Sequence, residues 1–188
     1  MRCIFGKTIL HITLLVCGFF CFSHNSFAQS TDCQKPKNND ERLLCGAIVK
    51  TSYYIDDRML KDLSFVSRRV DLNYDGRDEV LVWIPAINWG GTSGYPIIVF
   101  SQKRNGYRKL WEVEQGWAPI ILLKSKTNGW RNVAYQVGGG GAEWQYVIAK
   151  HNGKTYKDKE IQEKQPEGVF LIEKNWKSTV FGPIPAQK

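Results

Sequence analysis

The spacing of apolar residues divides the chain into a short helical part and a longer β-rich part. Over residues 32–63, apolar side chains recur every three or four positions, which is the period of an amphipathic helix. One predicted helix is capped by Asn39 or Asp40, and a second covers residues 55–63. The residues that form the two apolar stripes are Leu43, Leu44, Ala47, Ile48, Met59, Leu60 and Leu63.

From Val66 onward the pattern changes to short β-branched and aromatic runs separated by Gly, Asn and Pro, which is typical of antiparallel strands. Three Asn-Gly pairs supply residues that tolerate the positive φ of tight turns, and they predict hairpins around Gly106 and Gly153. The predicted strands cover residues 67–72, 79–84, 97–102, 107–113, 120–124, 132–137, 145–150, 154–156 and 169–173.

These elements predict an α+β domain in which short N-terminal helices pack on a mainly antiparallel β-sheet structure. The predicted organisation has four parts. They are a signal peptide over residues 1–28, a disulfide-tied helical segment over 29–65, a β-rich core of the same domain over 66–173, and an extended C-terminal tail over 174–188. The tail contains Pro183 and Pro185, and proline does not join a central strand.

Residues 1–28 have the parts of a secretory signal. Two basic residues precede an apolar run over residues 9–22, and small residues stand at the −3 and −1 positions of a cleavage site after Ala28. The run is shorter than the roughly 20 apolar residues that a bilayer span requires. We therefore expect a mature chain that begins at Gln29, lacks a membrane span and is periplasmic or secreted.

The charge of the chain is basic but dispersed. The 188 residues include 26 Lys and Arg against 18 Asp and Glu, for a net charge of +8. Removal of the two basic residues of the signal lowers this to about +6. Because acidic residues lie between the basic ones, the pattern favours a solvated surface over a nucleic-acid interface.

Two of the five cysteines, Cys33 and Cys45, lie outside the predicted signal. In an oxidising compartment they are predicted to form a disulfide that ties the N-terminal segment to the domain. A redox-active pair or half of a metal site are the alternatives. Both are disfavoured, because the spacing is not C-x-x-C and no histidine lies nearby.

The sequence contains no recognisable catalytic constellation. His151 is the one histidine outside the signal, which excludes multi-His zinc sites, and it is expected to be a solvated turn residue. Glu112 and Glu114 are candidate paired carboxylates, but partners for Lys and Arg are the expected role of both. We therefore predict a protein that acts by binding and is not an enzyme.

Oxygen-bearing side chains recur at positions 1, 3, 5 and 9 of the segment DLNYDGRDE, residues 71–79, with Gly76 at position 6. A hard cation such as calcium takes six to eight oxygens, which a tight loop of this kind can supply. An EF-hand is excluded, because position 12 is Val82 and a predicted strand follows in place of a helix.

This segment resembles the calcium-binding turn of the FG-GAP or VCBS class, the integrin-α-type repeats, in which D-x-N-x-D-G-x-x-[DE] precedes a strand. The resemblance implies that calcium is the cofactor and that its ligands are Asp71, Asn73, Asp75, the Arg77 carbonyl and Glu79. A polar turn without metal, in which Asp and Asn side chains bond their own backbone, is the open alternative. The wider stretch over residues 70–156 is similar to small exported bacterial proteins, and some proteins of this character inhibit cell-wall hydrolases or confer immunity to them.

Two glycine-rich stretches, residues 89–94 and 138–144, are the candidate binding loops. Neither is a phosphate loop, because the first lacks the Gly-Lys-Ser/Thr ending and the second precedes a strand. Flanking aromatics would form a rim for a partner, since Trp and Tyr are favoured at binding hot spots, although core packing also explains them. The predicted partner-binding residues are Trp89, Gly90, Gly91, Tyr95, Gly139, Gly140, Glu143 and Trp144.

The sequence thus favours a periplasmic binding protein, of the inhibitor or immunity type, that blocks a peptidoglycan-degrading enzyme through its Gly/Trp-rich loops. The alternative is a calcium-stabilised structural or ligand-binding module of the envelope without inhibitory activity.

Overall fold

The structure is a computed structural model that describes residues 28–173. The predicted signal peptide, apart from Ala28, and the predicted C-terminal tail lie outside the described residues. The elements in chain order are β1 (Gln29–Asp32), α1 (Asn39–Thr51), α2 (Asp57–Asp62), β2 (Ser64–Val70), β3 (Glu79–Trp83), a 3₁₀ turn (Ile87–Trp89), β4 (Tyr95–Lys103), β5 (Gly106–Thr127), β6 (Trp130–Gly139), β7 (Ala142–His151), β8 (Tyr156–Gln162) and β9 (Gly168–Ile172).

The strands form one antiparallel sheet in the order β1 to β8, with β9 paired to β5. Strand β5 has 22 residues, and its first half pairs with β4 while its second half pairs with both β6 and β9. The pairing register with β6 shifts between Trp117 and Ile120. Pro119 lies within this shift, and proline has no N–H to donate to a ladder, so an irregularity is expected there.

The core explains how the sheet folds onto itself. Leu81 and Trp83 of β3 lie in one buried cluster with Val133 of β6 and Ala149 of β7. Strand β3 belongs to the first half of the sheet, formed by β1 to β4 and the first part of β5, whereas β6 and β7 belong to the second half, formed by the rest of β5 and β6 to β9. The two halves therefore pack face to face. Within the first half, β3 is buried on both faces, which accounts for its unbroken apolar run in place of an alternating pattern.

Helix α1 covers the other face of the first half of the sheet. Leu44 and Ile48 of the helix pack with Val80 and Val82 of β3. The helix is capped by Asn38, one residue earlier than predicted, whose Oδ1 accepts a hydrogen bond from the Glu41 N–H at 2.9 Å. The apolar stripe read from the sequence therefore does face the core.

The predicted α+β fold class is wrong, because the protein is β-rich. Over residues 28–173, α1 is the only helix longer than two turns, and nine strands form the framework. The second predicted helix is reduced to the six residues of α2, none of which is buried. Leu60 is 37% exposed, and Leu63 is buried just beyond the helix end. An apolar stripe of one turn does not generate a packed helical layer.

Cys33 and Cys45 form the predicted disulfide, with their Cα atoms 5.7 Å apart. It links the segment after β1 to the middle of α1. Because β1 pairs with β2, the bridge joins the helix to the edge of the sheet. The prediction that a disulfide ties down the N-terminal segment is confirmed.

Candidate functional site

Two glycine-rich loops that are distant in sequence meet at one end of the sheet. The first, residues 90–94, leads into β4, and the second, residues 138–143, comprises the end of β6, the turn at residues 140–141 and the start of β7. A Cβ built on Gly139 would lie 2.2 Å from the Thr92 carbonyl oxygen. Gly139 also has φ +90°, a conformation that favours glycine. The absence of a side chain at this position is therefore what allows the two loops to touch.

A third segment, residues 114–116 of β5, packs against the first loop from the other side. A Cβ on Gly94 would lie 2.8 Å from the Gly116 amide nitrogen. We call the surface formed by residues 90–94, 114–116 and 138–143 the glycine-rich end. Its solvent-exposed residues are Gly90, Gly91, Thr92, Ser93, Glu114, Gln115, Gly140, Gly141, Ala142 and Glu143.

Aromatic side chains support the glycine-rich end from the core side. Trp83, Tyr95, Trp117 and Trp144 form a chain of edge-to-face contacts, with successive ring centroids 6.2, 5.1 and 5.9 Å apart. Trp83 is fully buried, and the other three are half-buried. Edge-to-face packing fixes ring orientation, so this chain anchors the loops to the core.

The sequence predicted Trp89 on an aromatic rim. In the structure Trp89 lies in the core beneath α2. It is 7% exposed, and its Nε1 donates a hydrogen bond to the Met59 carbonyl oxygen at 2.8 Å. Tyr95 and Trp144 are likewise structural supports in large part. The predicted partner-binding residues that are exposed at the glycine-rich end are Gly90, Gly91, Gly140 and Glu143, while Gly139 holds the loops together.

The sequence alone did not single out Thr92, Glu114 and Gln115 as members of this surface. Glu114 and Gln115 reach it only through the register of β4 with β5, in which Tyr95 pairs with Gly116. No local sequence signal carries that long-range pairing. The run of small residues around Thr92 was visible, but not its contact with the second loop.

The turn over residues 71–79 is a network of hydrogen bonds within the chain. The Asp71 carboxylate accepts hydrogen bonds from the backbone N–H groups of Asn73, Tyr74 and Gly76 at 3.2, 2.6 and 2.9 Å. Asn73 and Asp75 accept further ones from the N–H groups two positions on. Tyr74 and Gly76 have positive φ, as a tight Asx-rich turn requires.

The fit of these residues to calcium is limited in this arrangement. Across residues 28–173, no three His, Cys, Asp or Glu side chains are close enough together to hold a metal ion. The Asp71 oxygens are already occupied by backbone donors. The geometry matches the metal-free polar turn, and calcium binding by the turn stays a prediction.

Glu79 is the buried carboxyl of this turn, with 4% of its surface exposed. Its Oε2 accepts a hydrogen bond from the Leu72 N–H at 3.0 Å. Burial, together with the charges of Asp75 and Asp71, raises the pKa of Glu79 to about 7, although the bond from Leu72 opposes this. The Leu72 carbonyl accepts from the Arg131 N–H, so the turn is tied to β6.

His151 is buried, and the expectation of a solvated turn residue is wrong. It ends β7, is 4% exposed, and stacks on Trp130 with ring centroids 4.4 Å apart. Its Nδ1 accepts a hydrogen bond from the Gly153 N–H at 3.2 Å. Burial lowers the pKa of the imidazole, because the charged form loses solvation. The residue fills the core beside Tyr156.

Glu112 and Glu114 differ in their surroundings. Glu112 forms an ion pair with Lys109, as expected for a carboxylate with a basic partner. Glu114 is exposed at the glycine-rich end.

Neither helix of the described part has the length and hydropathy that a bilayer crossing requires.

Comparison of the chain with protein-family models, with curated proteins and with solved structures found no match. The resemblance of the turn over residues 71–79 to the FG-GAP class therefore stays a prediction.

Proposed function

We propose that the protein binds a partner protein through the glycine-rich end, and that it acts in the bacterial envelope as an inhibitor or immunity-type protein against a cell-wall-directed hydrolase. The observation that carries the proposal is the contact of Thr92 with Gly139, which unites two distant loops into one exposed surface.

The construction of this surface supports a binding role. Its backbone is held from below by the aromatic chain of Trp83, Tyr95, Trp117 and Trp144, so little ordering entropy is lost when a partner docks. Seven of its ten exposed residues are Gly, Ala, Ser or Thr, which lets the backbone approach a partner closely. An end on which most exposed residues are small suits insertion into a substrate cleft.

The proposal is tested by measuring whether the protein inhibits a panel of purified peptidoglycan hydrolases. Thr92→Arg would place a bulky side chain on the exposed surface and should abolish inhibition. Gln102→Arg, at the opposite end of β4 from Tyr95, is the matched control because it adds the same side chain at an exposed position. Thermal melts establish that both variants fold.

Two results would contradict the proposal. One is a wild-type protein that inhibits no hydrolase of the panel. The other is a folded Thr92→Arg variant that inhibits as well as the Gln102→Arg control, because the glycine-rich end would then not be the contact surface.

A calcium-stabilised envelope module is the second candidate. It is favoured by Asn73 and Asp75, whose side chains lie within hydrogen-bond distance of each other in the turn, and by the buried Glu79 at the end of the same turn. The calcium would stiffen the turn without taking part in partner binding.

A further inference from the structure

We infer that the partner's contact surface is cationic, and that Glu114 and Glu143 determine this specificity. The inference rests on the proposed function, since it names the chemistry of the partner that the glycine-rich end contacts.

The charge of the glycine-rich end has one sign only. Residues 90–94, 114–116 and 138–143 contain no Lys, Arg or His, and their charged residues are Glu114 and Glu143. The residues next to the first and third segments along the chain, 85–89 and 117–118, are also uncharged. The surface is therefore acidic in a chain whose net charge is +8.

Both carboxylates are available to a partner. Glu114 and Glu143 are solvent-exposed, and neither forms an ion pair with any residue of the described range 28–173. Glu112 lies two positions before Glu114 and differs from it, because Glu112 forms an ion pair with Lys109. Within residues 28–173, Glu112 has a basic partner and Glu114 does not.

The two carboxylates define the chemistry of the complementary surface. Carboxylate oxygens accept hydrogen bonds from guanidinium and ammonium groups. A cleft lined by Lys and Arg is therefore the surface that satisfies them. An acidic cleft would place like charges opposite one another, which disfavours binding.

The net positive charge of the chain affects how a cationic partner docks. The partner is attracted to the carboxylates of the glycine-rich end, and the net charge disfavours contact at basic parts of the surface, so encounters through the glycine-rich end are favoured.

The test compares two double variants with the same change in net charge. Glu114→Gln with Glu143→Gln removes the carboxylates of the surface. Glu163→Gln with Glu167→Gln removes two exposed carboxylates from the connection between β8 and β9. Association and dissociation rates are measured at low and high salt against a purified peptidoglycan hydrolase with a Lys- and Arg-lined cleft and against one with an acidic cleft.

We expect the wild type to bind the hydrolase with the cationic cleft and not the other. The Glu114/Glu143 variant should associate roughly tenfold more slowly at low salt and show a weaker salt dependence, while the Glu163/Glu167 variant stays within about twofold of the wild type.

The inference is overturned, and the proposed function is not, if the wild type binds a hydrolase but both double variants behave alike. It is also overturned if the hydrolase with the acidic cleft is the one bound. If the wild type binds neither enzyme, the proposed function fails and this inference fails with it.

Discussion

The carbonyl oxygen of Thr92 occupies the space that a Cβ on Gly139 would need, with 2.2 Å between the two positions. This single backbone contact joins the loop before β4 to the loop between β6 and β7. Each loop alone is a short glycine-rich segment. Together, and held against residues 114–116, they form the glycine-rich end.

Gly139→Ala should separate the two loops. Gly141→Ala is the matched control, because Gly141 also has positive φ, at +98° against +90°, but has no neighbour within 4 Å of the added Cβ. We expect Gly141→Ala to cost about 1 kcal/mol of unfolding free energy from backbone strain, and Gly139→Ala about 2 kcal/mol more from the clash. Chemical denaturation measures both. Equal losses would show that the contact with Thr92 does not constrain the loops.

Tyr107→Phe should loosen α1 from the sheet. The Tyr107 hydroxyl donates to the Asp40 carboxylate and accepts from Arg69 at 2.7 Å, which ties the first turn of the helix to β2 and β5. We expect a loss of about 1 kcal/mol of unfolding free energy. Tyr53→Phe, at a fully exposed position, should have no effect. A Tyr107→Phe melt that coincides with the Tyr53→Phe melt would rule out this role.

Replacement of Cys33 and Cys45 by Ala should destabilise the protein. The bridge closes a loop with a sequence separation of 12, and in the chain-entropy model such a closure contributes roughly 3 kcal/mol. Denaturation of the oxidised wild type, the reduced wild type and the double variant measures the loss. The last two should agree, and a variant as stable as the oxidised protein would contradict the prediction.

His151 should make the folded state less stable in mild acid. Its folded pKa is lowered by burial, whereas in the unfolded chain it is near 6.5. Between these two values the unfolded state binds more protons, so its contribution to stability falls as the pH drops below about 6.5. His151→Phe keeps an aromatic ring against Trp130 and removes the titration.

The difference in unfolding free energy between wild type and His151→Phe, measured from pH 7 to pH 5, isolates this contribution. Glu79, whose raised pKa acts in the opposite direction over the same range, is present in both proteins. The wild type should lose more stability than the variant as the pH falls. Parallel curves would show that the imidazole is not desolvated.

Calcium should raise the melting temperature if the turn over residues 71–79 binds it. Saturation at about 100 times the Kd would add about 2.7 kcal/mol to the unfolding free energy, and Asp71→Asn should reduce that gain. Melts with calcium and with a chelator measure the effect. Identical melts would support the metal-free turn that the hydrogen bonds of Asp71 describe.

Much of the β structure could be predicted from local sequence because its causes are local. Alternating and β-branched runs predicted strands that overlap β2 to β9, although the strand predicted over residues 154–156 shares only Tyr156 with β8. The Asn-Gly pairs predicted the turns at Gly106 and Gly153, both of which have positive φ. The pairing of Cys33 with Cys45 followed from the small number of cysteines. The helical stripe predicted over residues 55–63 does not form a packed helical layer, since none of the six residues of α2 is fully buried.

The sequence by itself therefore determined where most strands and turns lie, because backbone preferences act over a few residues. It also determined which cysteines pair, because only Cys33 and Cys45 lie outside the predicted signal. Only the tertiary structure decided three other features. Residues 107–113 and 120–124 form one strand, β5, because β4, β6 and β9 pair along its length. The polar segment Gln29–Asp32 becomes β1 because β2 offers it an edge. The glycine-rich end exists because the folded sheet brings Thr92 to Gly139, and such long-range contacts depend on packing that no local pattern records.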